Sequence, residues 1–470
     1  MTPVSALRLA SEGGDALTRA LDRAAGCRPI PGNEVIPLVD GPAIFEAGLA
    51  AIAGATRWIH FDNYIFRGDH TGRRFAEALA RRAREGVRVR LLVDWLGSLG
   101  TPNSFWTMLR AAGIEVRHFG PPRLLDLAQN LTRNHRKLII ADGVVALTGG
   151  FCIGDEWAGD PRTRTLPWRE TGVLVRGPAA AQLDLAFAGP WRAAGGQIPP
   201  HETPGDVPAS GSSVVRVVAG EPWRLRAFRT LELMLALSAR RIWLTDAYFV
   251  APRRVRDALH AAAREGVDVR ILVPGASDLP VVRNLTRTGY RSLLRHGVRV
   301  FEWQGPMLHA KSVVVDGRWV RIGSSNVNAS SFLGNWEIDV LVEDGSLAEQ
   351  MERQFRRDLD QSAEVVRRPH GPETLGRLQP VTLSVDAVDP NVLPSHRPSG
   401  RERRRRALQA LWAVAAGTRW SVLVPASVTA LGIGALFLFL PRTMAVVFGV
   451  LFLWLALGAA LAAIHRPDVS

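Results

Sequence analysis

Residues 78–93, ALARRAREGVRVRLLV, return at 258–273 as ALHAAAREGVDVRILV. Each copy predicts a helix of small and basic residues, a glycine at its end, and an alternating strand. Matching stretches flank both copies: Asn63-Tyr64 corresponds to Ala247-Tyr248, and Leu109–Val116 corresponds to Leu294–Val300 with one residue of difference in length. The chain is therefore an internal duplication of two α/β halves, 33–194 and 214–366. Residues 1–32 form an N-terminal extension, and the Gly-, Pro- and Ser-rich stretch 195–213 reads as an exposed linker. A second Pro-rich segment begins near 367 and passes into an arginine-rich stretch that ends at 420.

Only two of the 58 basic residues are lysines, Lys137 and Lys311, and they fall at the same place in each half. His135-Arg136-Lys137 is followed by four residues and Asp142; His309-Ala310-Lys311 is followed by four residues and Asp316. With 11 histidines and two lysines, about 0.05 His-x-Lys pairs arise by chance, so two in register are a specific signal. A coding bias that favours arginine explains the other 56 cations. Lysine kept against that bias has a task for which guanidinium is a poor substitute. Strand-like residues follow each pair, so His and Lys at i and i+2 face the same way.

Seven residues after each aspartate comes a turn of small residues, Gly149-Gly150-Phe151-Cys152 and Gly323-Ser324-Ser325-Asn326. Glycine lets a backbone approach an anion closely, and Ser324 and Asn326 add neutral donors to its oxygens. Glu170 and Glu337 then open two further strand-like segments, each next to a tryptophan or arginine. A carboxylate at such a place can accept a hydrogen bond from one imidazole nitrogen and fix its tautomer.

The C-terminal end differs from the rest. Residues 421–440 and 444–464 are uncharged and apolar, separated by Pro441-Arg442-Thr443. Each is long enough to span a bilayer, which predicts a transmembrane helical hairpin at 421–464. Arg401, Arg403 to Arg406 and Arg419 lie just upstream, and the positive-inside rule then puts the large N-terminal part in the cytoplasm. That arginine run fits anionic lipid headgroups, with a solvated linker or a nucleic-acid patch as the alternatives. The formal net charge of +14 also favours an anionic partner. Two cysteines, Cys27 and Cys152, exclude a disulfide framework and a four-thiolate zinc site. Acidic residues interrupt the N-terminal stretch, so no secretory signal is expected.

The paired motifs, the Asp246–Val250 segment and the run from Met307 to Glu337 resemble the phospholipase D superfamily. The resemblance covers about residues 33–365 and is closest to the bacterial cardiolipin synthase branch. It implies two α/β halves whose mixed sheets face each other across a shared active site. The implied catalytic residues are His135, Lys137, Asp142, His309, Lys311 and Asp316, with the two aspartates stabilising the motif strands rather than reacting. Ser324 and Asn326 would bind substrate phosphate, and Glu170 and Glu337 would orient the histidines. By resemblance, His135 is the nucleophile and His309 the acid/base. Cys152 departs from the family, which usually has Asn there, and membrane segments in this branch more often precede the catalytic part.

The implied reaction joins two acidic phospholipids, phosphatidylglycerol molecules, into cardiolipin and glycerol at the bacterial inner membrane through a phosphohistidine. No cofactor and no metal are expected, because the lysines already supply positive charge. Hydrolysis, or transfer to another head group, would use the same residues. A nuclease of the superfamily suits the net charge but has no need of a membrane hairpin, so no nucleic-acid partner is expected. A non-enzymatic membrane scaffold has no use for two complete motifs.

Overall fold

The computed structural model describes residues 18–122, 132–160 and 165–366, and the backbone of 380–381. In the first half the elements run β1 (Ile30–Val39), α1 (Asp40–Gly54), β2 (Trp58–Asn63), α2 (His70–Arg84), β3 (Arg88–Asp94), α3 (Asn103–Ala111), β4 (Glu115–Phe119), β5 (Leu138–Ala141), β6 (Val145–Gly149), β7 (Thr171–Arg176) and α4 (Pro178–Ala193). The second half runs β8 (Ser213–Gly220), α5 (Arg226–Leu237), β9 (Arg241–Asp246), α6 (Arg253–Arg264), β10 (Asp268–Pro274), α7 (Pro280–Arg295), β11 (Arg299–Trp303), β12 (Lys311–Val315), β13 (Trp319–Gly323), β14 (Glu337–Glu343), α8 (Gly345–Leu359) and β15 (Ser362–Val365). A short β16 (Pro380–Val381) pairs with β15.

The repeat that opened the sequence is α2–β3 and α6–β10. Asp69 caps α2 by accepting a hydrogen bond from the Gly72 amide at 2.9 Å, and Phe75, Ala76 and Leu79 form its buried stripe. Gly86 and Gly266 end the two helices at φ +92° and +83°, a region L side chains avoid.

Duplication extends to the order of strands. The first half reads β1-β7-β6-β5-β2-β3-β4 and the second β8-β14-β13-β12-β9-β10-β11, each with three parallel strands at its far end. Mixed sheets are therefore present in both halves. The resemblance implied sheets that face each other; here they are also joined along one edge. β1 pairs antiparallel with β8 across an irregular register, which joins them into one 16-stranded sheet among the described residues. Around that joint the sheet faces also pack together: Leu138, Ile140 and Val173 share a core with Val314, Ile322 and Val340. Each such buried side chain contributes about 1.5–3 kcal/mol relative to exposure, so this shared core holds the halves together.

One equivalence shifts by a residue. Asp142 N donates to Trp58 O and Asp316 N to Arg241 O, which aligns Asn63 with Asp246 and inserts Ala247 before the second tyrosine. The linker is exposed over most of 195–213. Glu202 is the correction, 3% exposed where it pairs with Arg88 and Arg90 of β3. The N-terminal extension is helical over 18–25, and its Asp22 accepts from Arg216 of β8 at 3.0 Å. Among the described residues no helix is long and apolar enough to cross a membrane. The stretches 421–440 and 444–464 and the arginine run before them lie outside the described residues.

Candidate active site

Two isolated bridges lock the halves together beside the motifs. Asn134 bridges Trp336, with the His135 amide donating to Trp336 O at 2.9 Å. Arg169 bridges Leu308, with the His309 amide donating to Arg169 O at 2.8 Å. Each histidine therefore lies beside the glutamate of the opposite half.

The side chains follow the backbone. His135 Nδ1 lies 3.0 Å from Glu337 Oε2 and 3.1 Å from Oε1. His309 Nδ1 lies 2.7 Å from Glu170 Oε2. Both glutamates are fully buried. Glu337 also accepts from the Ser324 hydroxyl, and Glu170 from Trp157 Nε1 at 3.3 Å and the Thr171 amide at 2.9 Å. A carboxylate on Nδ1 fixes the tautomer and leaves Nε2 without that partner.

Lys137 and Lys311 are 0% and 1% exposed. Lys137 Nζ donates to His135 O at 2.6 Å. Lys311 Nζ donates to His309 O and sits 3.0 Å from His309 Nδ1. Burial pushes both ammonium groups down, Lys311 to about 8 against the pull of Glu170. Burial likewise pushes His135 and His309 below the ordinary imidazole value, and the nearby lysines add to it. The carboxylates diverge. Burial raises Glu170 to about 7; in Glu337 the same burial is outweighed by His135, its hydrogen bond and Lys137, which hold it low. Two buried ammoniums beside two imidazoles make the site electropositive, which suits an anion.

Asp142 and Asp316 lie away from the imidazoles. At φ +56° and +57° they enter turns completed by Gly143 and Gly317. Asp142 accepts from the amides of Thr56, Arg57 and Trp58 at 2.8–2.9 Å, and Asp316 from Ala239, Arg240 and Arg241 at 2.7–2.9 Å. Each pins the start of β2 or β9 against its motif strand. Ser324 is engaged within the protein: its hydroxyl donates to Glu337 and accepts from the Ile338 amide at 2.9 Å. It thereby steadies that carboxylate. Asn326 is 3% exposed, with Oδ1 unpartnered. Cys152 is buried beside Lys137, and burial raises its thiol.

Sequence reasoning missed an aromatic wall. Tyr64 lies 5.0 Å from the His135 ring and 5.2 Å from Lys137 Nζ. Tyr248 lies 5.7 Å from the His309 ring and 5.8 Å from Lys311 Nζ. Trp157 and Trp168 pack on His309 at 5.5 and 5.7 Å. Rarity was the available signal, because two of only three tyrosines recur after matching strands. Among the described residues no group of three or more His, Cys, Asp and Glu side chains converges as a metal site.

Known proteins share this architecture. A family model described as the cardiolipin synthase, PLD-like domain matches residues 49–158 and 232–359. The chain is 35% identical to cardiolipin synthase A of Pseudomonas entomophila (strain L48) over 353 residues, 74% of this chain and 73% of that one. It is also 35% identical to a cardiolipin synthase of Geobacillus kaustophilus (strain HTA426), over 66% of this chain and 63% of the relative. A phosphatidylserine synthase of Haemophilus influenzae Rd KW20 has a similar fold, with a TM-score of 0.56 at 14% identity over 74% of this chain and 92% of that one. Since two matched regions bracket the two His-x-Lys pairs and the identity runs through both halves, the chain belongs to the cardiolipin synthase family of phospholipase D-like proteins.

Proposed function

We propose that this protein transfers a phosphatidyl group from one phosphatidylglycerol to another, giving cardiolipin and glycerol. The reciprocal His–Glu pairs, each with its buried lysine, are the observation that carries this reading. His135 Nε2 attacks phosphorus, the bond to the glycerol oxygen breaks, and that oxygen takes a proton from the His309 side. A hydroxyl of the second phosphatidylglycerol then gives its proton back to His309 and displaces His135 from phosphorus. Lys137, Lys311 and Asn326 hold the non-bridging oxygens as charge develops.

The unequal carboxylates support this division of roles. An ionised Glu337 keeps the proton of His135 on Nδ1 and leaves Nε2 a lone pair for attack. Glu170, raised to about 7, lets its pair with His309 retain one more proton near neutrality, which suits the acid. The test is the full chain on phosphatidylglycerol vesicles. Cardiolipin and glycerol in equal amounts, abolished in His135→Ala, support transfer, whereas phosphatidic acid as the main product means hydrolysis.

The same reading puts the catalytic part on the cytoplasmic face of the inner membrane, held by the hairpin 421–464 with the arginine run on acidic headgroups. An apolar rim supports a lipid surface at the cleft. Leu96 and Leu99 follow β3 in a loop whose Ser98 bonds Tyr64 O. Leu279, Val281 and Leu285 follow Asp278, which accepts from the Tyr248 hydroxyl at 2.9 Å. These five are 48–72% exposed, a cost in water that contact with a bilayer removes.

A further inference from the structure

The two halves differ at two matched positions beside the lysines. In the turn after the motif, three residues beyond Gly149 and Gly323, the first half has Cys152 and the second Asn326. On the strand facing the lysine the exchange runs the other way. Lys311 pairs across the ladder with Asp246. Asp62 pairs with Leu138, so the next step of the same ladder sets Asn63 opposite Lys137. Each half thus carries one amide beside its lysine, from the strand in the first half and from the turn in the second.

Asn63 is fully buried, and neither Oδ1 nor Nδ2 has a hydrogen-bond partner. Its counterpart is committed: Asp246 accepts from the Tyr248 amide at 3.0 Å and the Val327 amide at 2.8 Å. The first-half amide that would correspond to Val327, that of Ile153, donates instead to Ile65 O at 3.0 Å. Asn63 is therefore free of the structural duty that Asp246 performs. Buried amides without partners are rare because they are costly, and a ligand that satisfies them is a sufficient reason to keep one. Alternation puts the Asn63 side chain on the face of the ladder that carries Lys137 and His135, so the group it meets there is the anion held by the lysines.

We propose that Asn63 donates from Nδ2 to a non-bridging oxygen of the transferred phosphoryl group and so supplies the first-half amide that Cys152 cannot. This inference rests on the phosphatidyl-transfer reading and adds a phosphate-binding residue to it. The full chain is assayed on phosphatidylglycerol vesicles as wild type, Asn63→Ala, Asn63→Asp, and Asn63→Ala combined with Cys152→Asn. Both single changes are expected to lower kcat at least tenfold with KM within twofold, since the contact strengthens as charge builds on the oxygens. Asn63→Asp matches the residue found at 246 and keeps the strand's shape if the alanine variant fails to fold. Truncation to alanine also makes room for the larger side chain at 152, and the double variant is expected to recover to within threefold of wild type. A purely structural Asn63 has no reason to be rescued from the turn. Orthovanadate, which on binding an imidazole takes the five-coordinate geometry of the transferring phosphoryl group, is titrated in parallel by tryptophan fluorescence and should bind Asn63→Asp at least fivefold more weakly than wild type. Wild-type kcat in both single variants, or a double variant no better than Asn63→Ala, overturns the proposal. If wild type makes no cardiolipin but the vanadate difference is present, the substrate reading fails and Asn63 stands; equal vanadate affinity removes Asn63 whatever the product.

Discussion

His135 Nδ1 lies 3.0 Å from Glu337 Oε2, although the two residues are 202 positions apart and belong to opposite halves of the duplication. Glu170 and His309 repeat the relationship at 2.7 Å in the other direction. Neither half holds its own histidine in orientation, so each imidazole depends on the other half for its carboxylate partner. The bridges Asn134–Trp336 and Arg169–Leu308 are the backbone cause, because they set each motif beside the strand that carries the other half's glutamate.

Removing either carboxylate should therefore disable the histidine of the other half. Glu337→Gln and Glu170→Gln are expected to lower turnover at least tenfold while each retains a cooperative melt. With the Glu170–His309 pair losing its extra proton near 7 and Lys311 its charge near 8, wild-type turnover should fall as pH rises through that range. Glu170→Gln should lose the lower of these two steps. A flat profile from pH 6 to 9 in wild type would falsify the proton assignment.

Lys137→Arg and Lys311→Arg should each lower turnover at least tenfold with folding intact. An ammonium is a compact point charge, whereas a guanidinium is wide, planar and bound to a fork geometry. In side-chain sites at most 1% exposed, the larger group pushes phosphate away from the imidazole, and a misplacement of about 1 Å can cost a hundredfold in rate. Rates near wild type in both purified variants would remove the lysines from the reaction.

Asp142→Asn should behave oppositely, losing stability while the folded fraction keeps its turnover within about threefold. Several backbone donors converge on the carboxylate, so roughly 1–3 kcal/mol is at stake. Burial alone would raise the Asp142 carboxyl, but the hydrogen bonds from Trp58, Thr56 and Arg57 hold it below its ordinary value. A depressed folded-state pKa stabilises the fold above the unfolded value near 4 and ceases to do so as pH falls through the folded one. The melting difference between wild type and Asp142→Asn should thus shrink below about pH 4. Unchanged melts, or turnover lost with stability intact, would place this aspartate in the chemistry.

A chain truncated near residue 400 should stay folded and bind phosphatidylglycerol vesicles weakly and reversibly. In that background Val281→Asp with Leu285→Asp should weaken vesicle binding at least fivefold without moving the melt, because both side chains are more than half exposed. Retention of the truncated chain in the membrane pellet after a high-salt wash counts against the hairpin as principal anchor. Undiminished vesicle binding by the double variant counts against the rim.

The sequence by itself determined the duplication, the mixed α/β character and the two His-x-Lys pairs. All three are carried by local signals: a repeated helix–glycine–strand unit, strand alternation, and lysine kept where arginine is otherwise universal. The aspartates' role was given only by the resemblance; the structure adds that Asp142 and Asp316 sit at positive φ before a glycine and accept several backbone amides. Only the tertiary structure decided which glutamate serves which histidine, because a hydrogen bond across some two hundred residues leaves no local trace. It also committed the Ser324 hydroxyl to Glu337, joined the two sheets through β1 and β8, and aligned Asn63 with Asp246 instead of Ala247. That last shift is a matter of strand register, which is set by partners across the ladder and not by the order of residues along one strand.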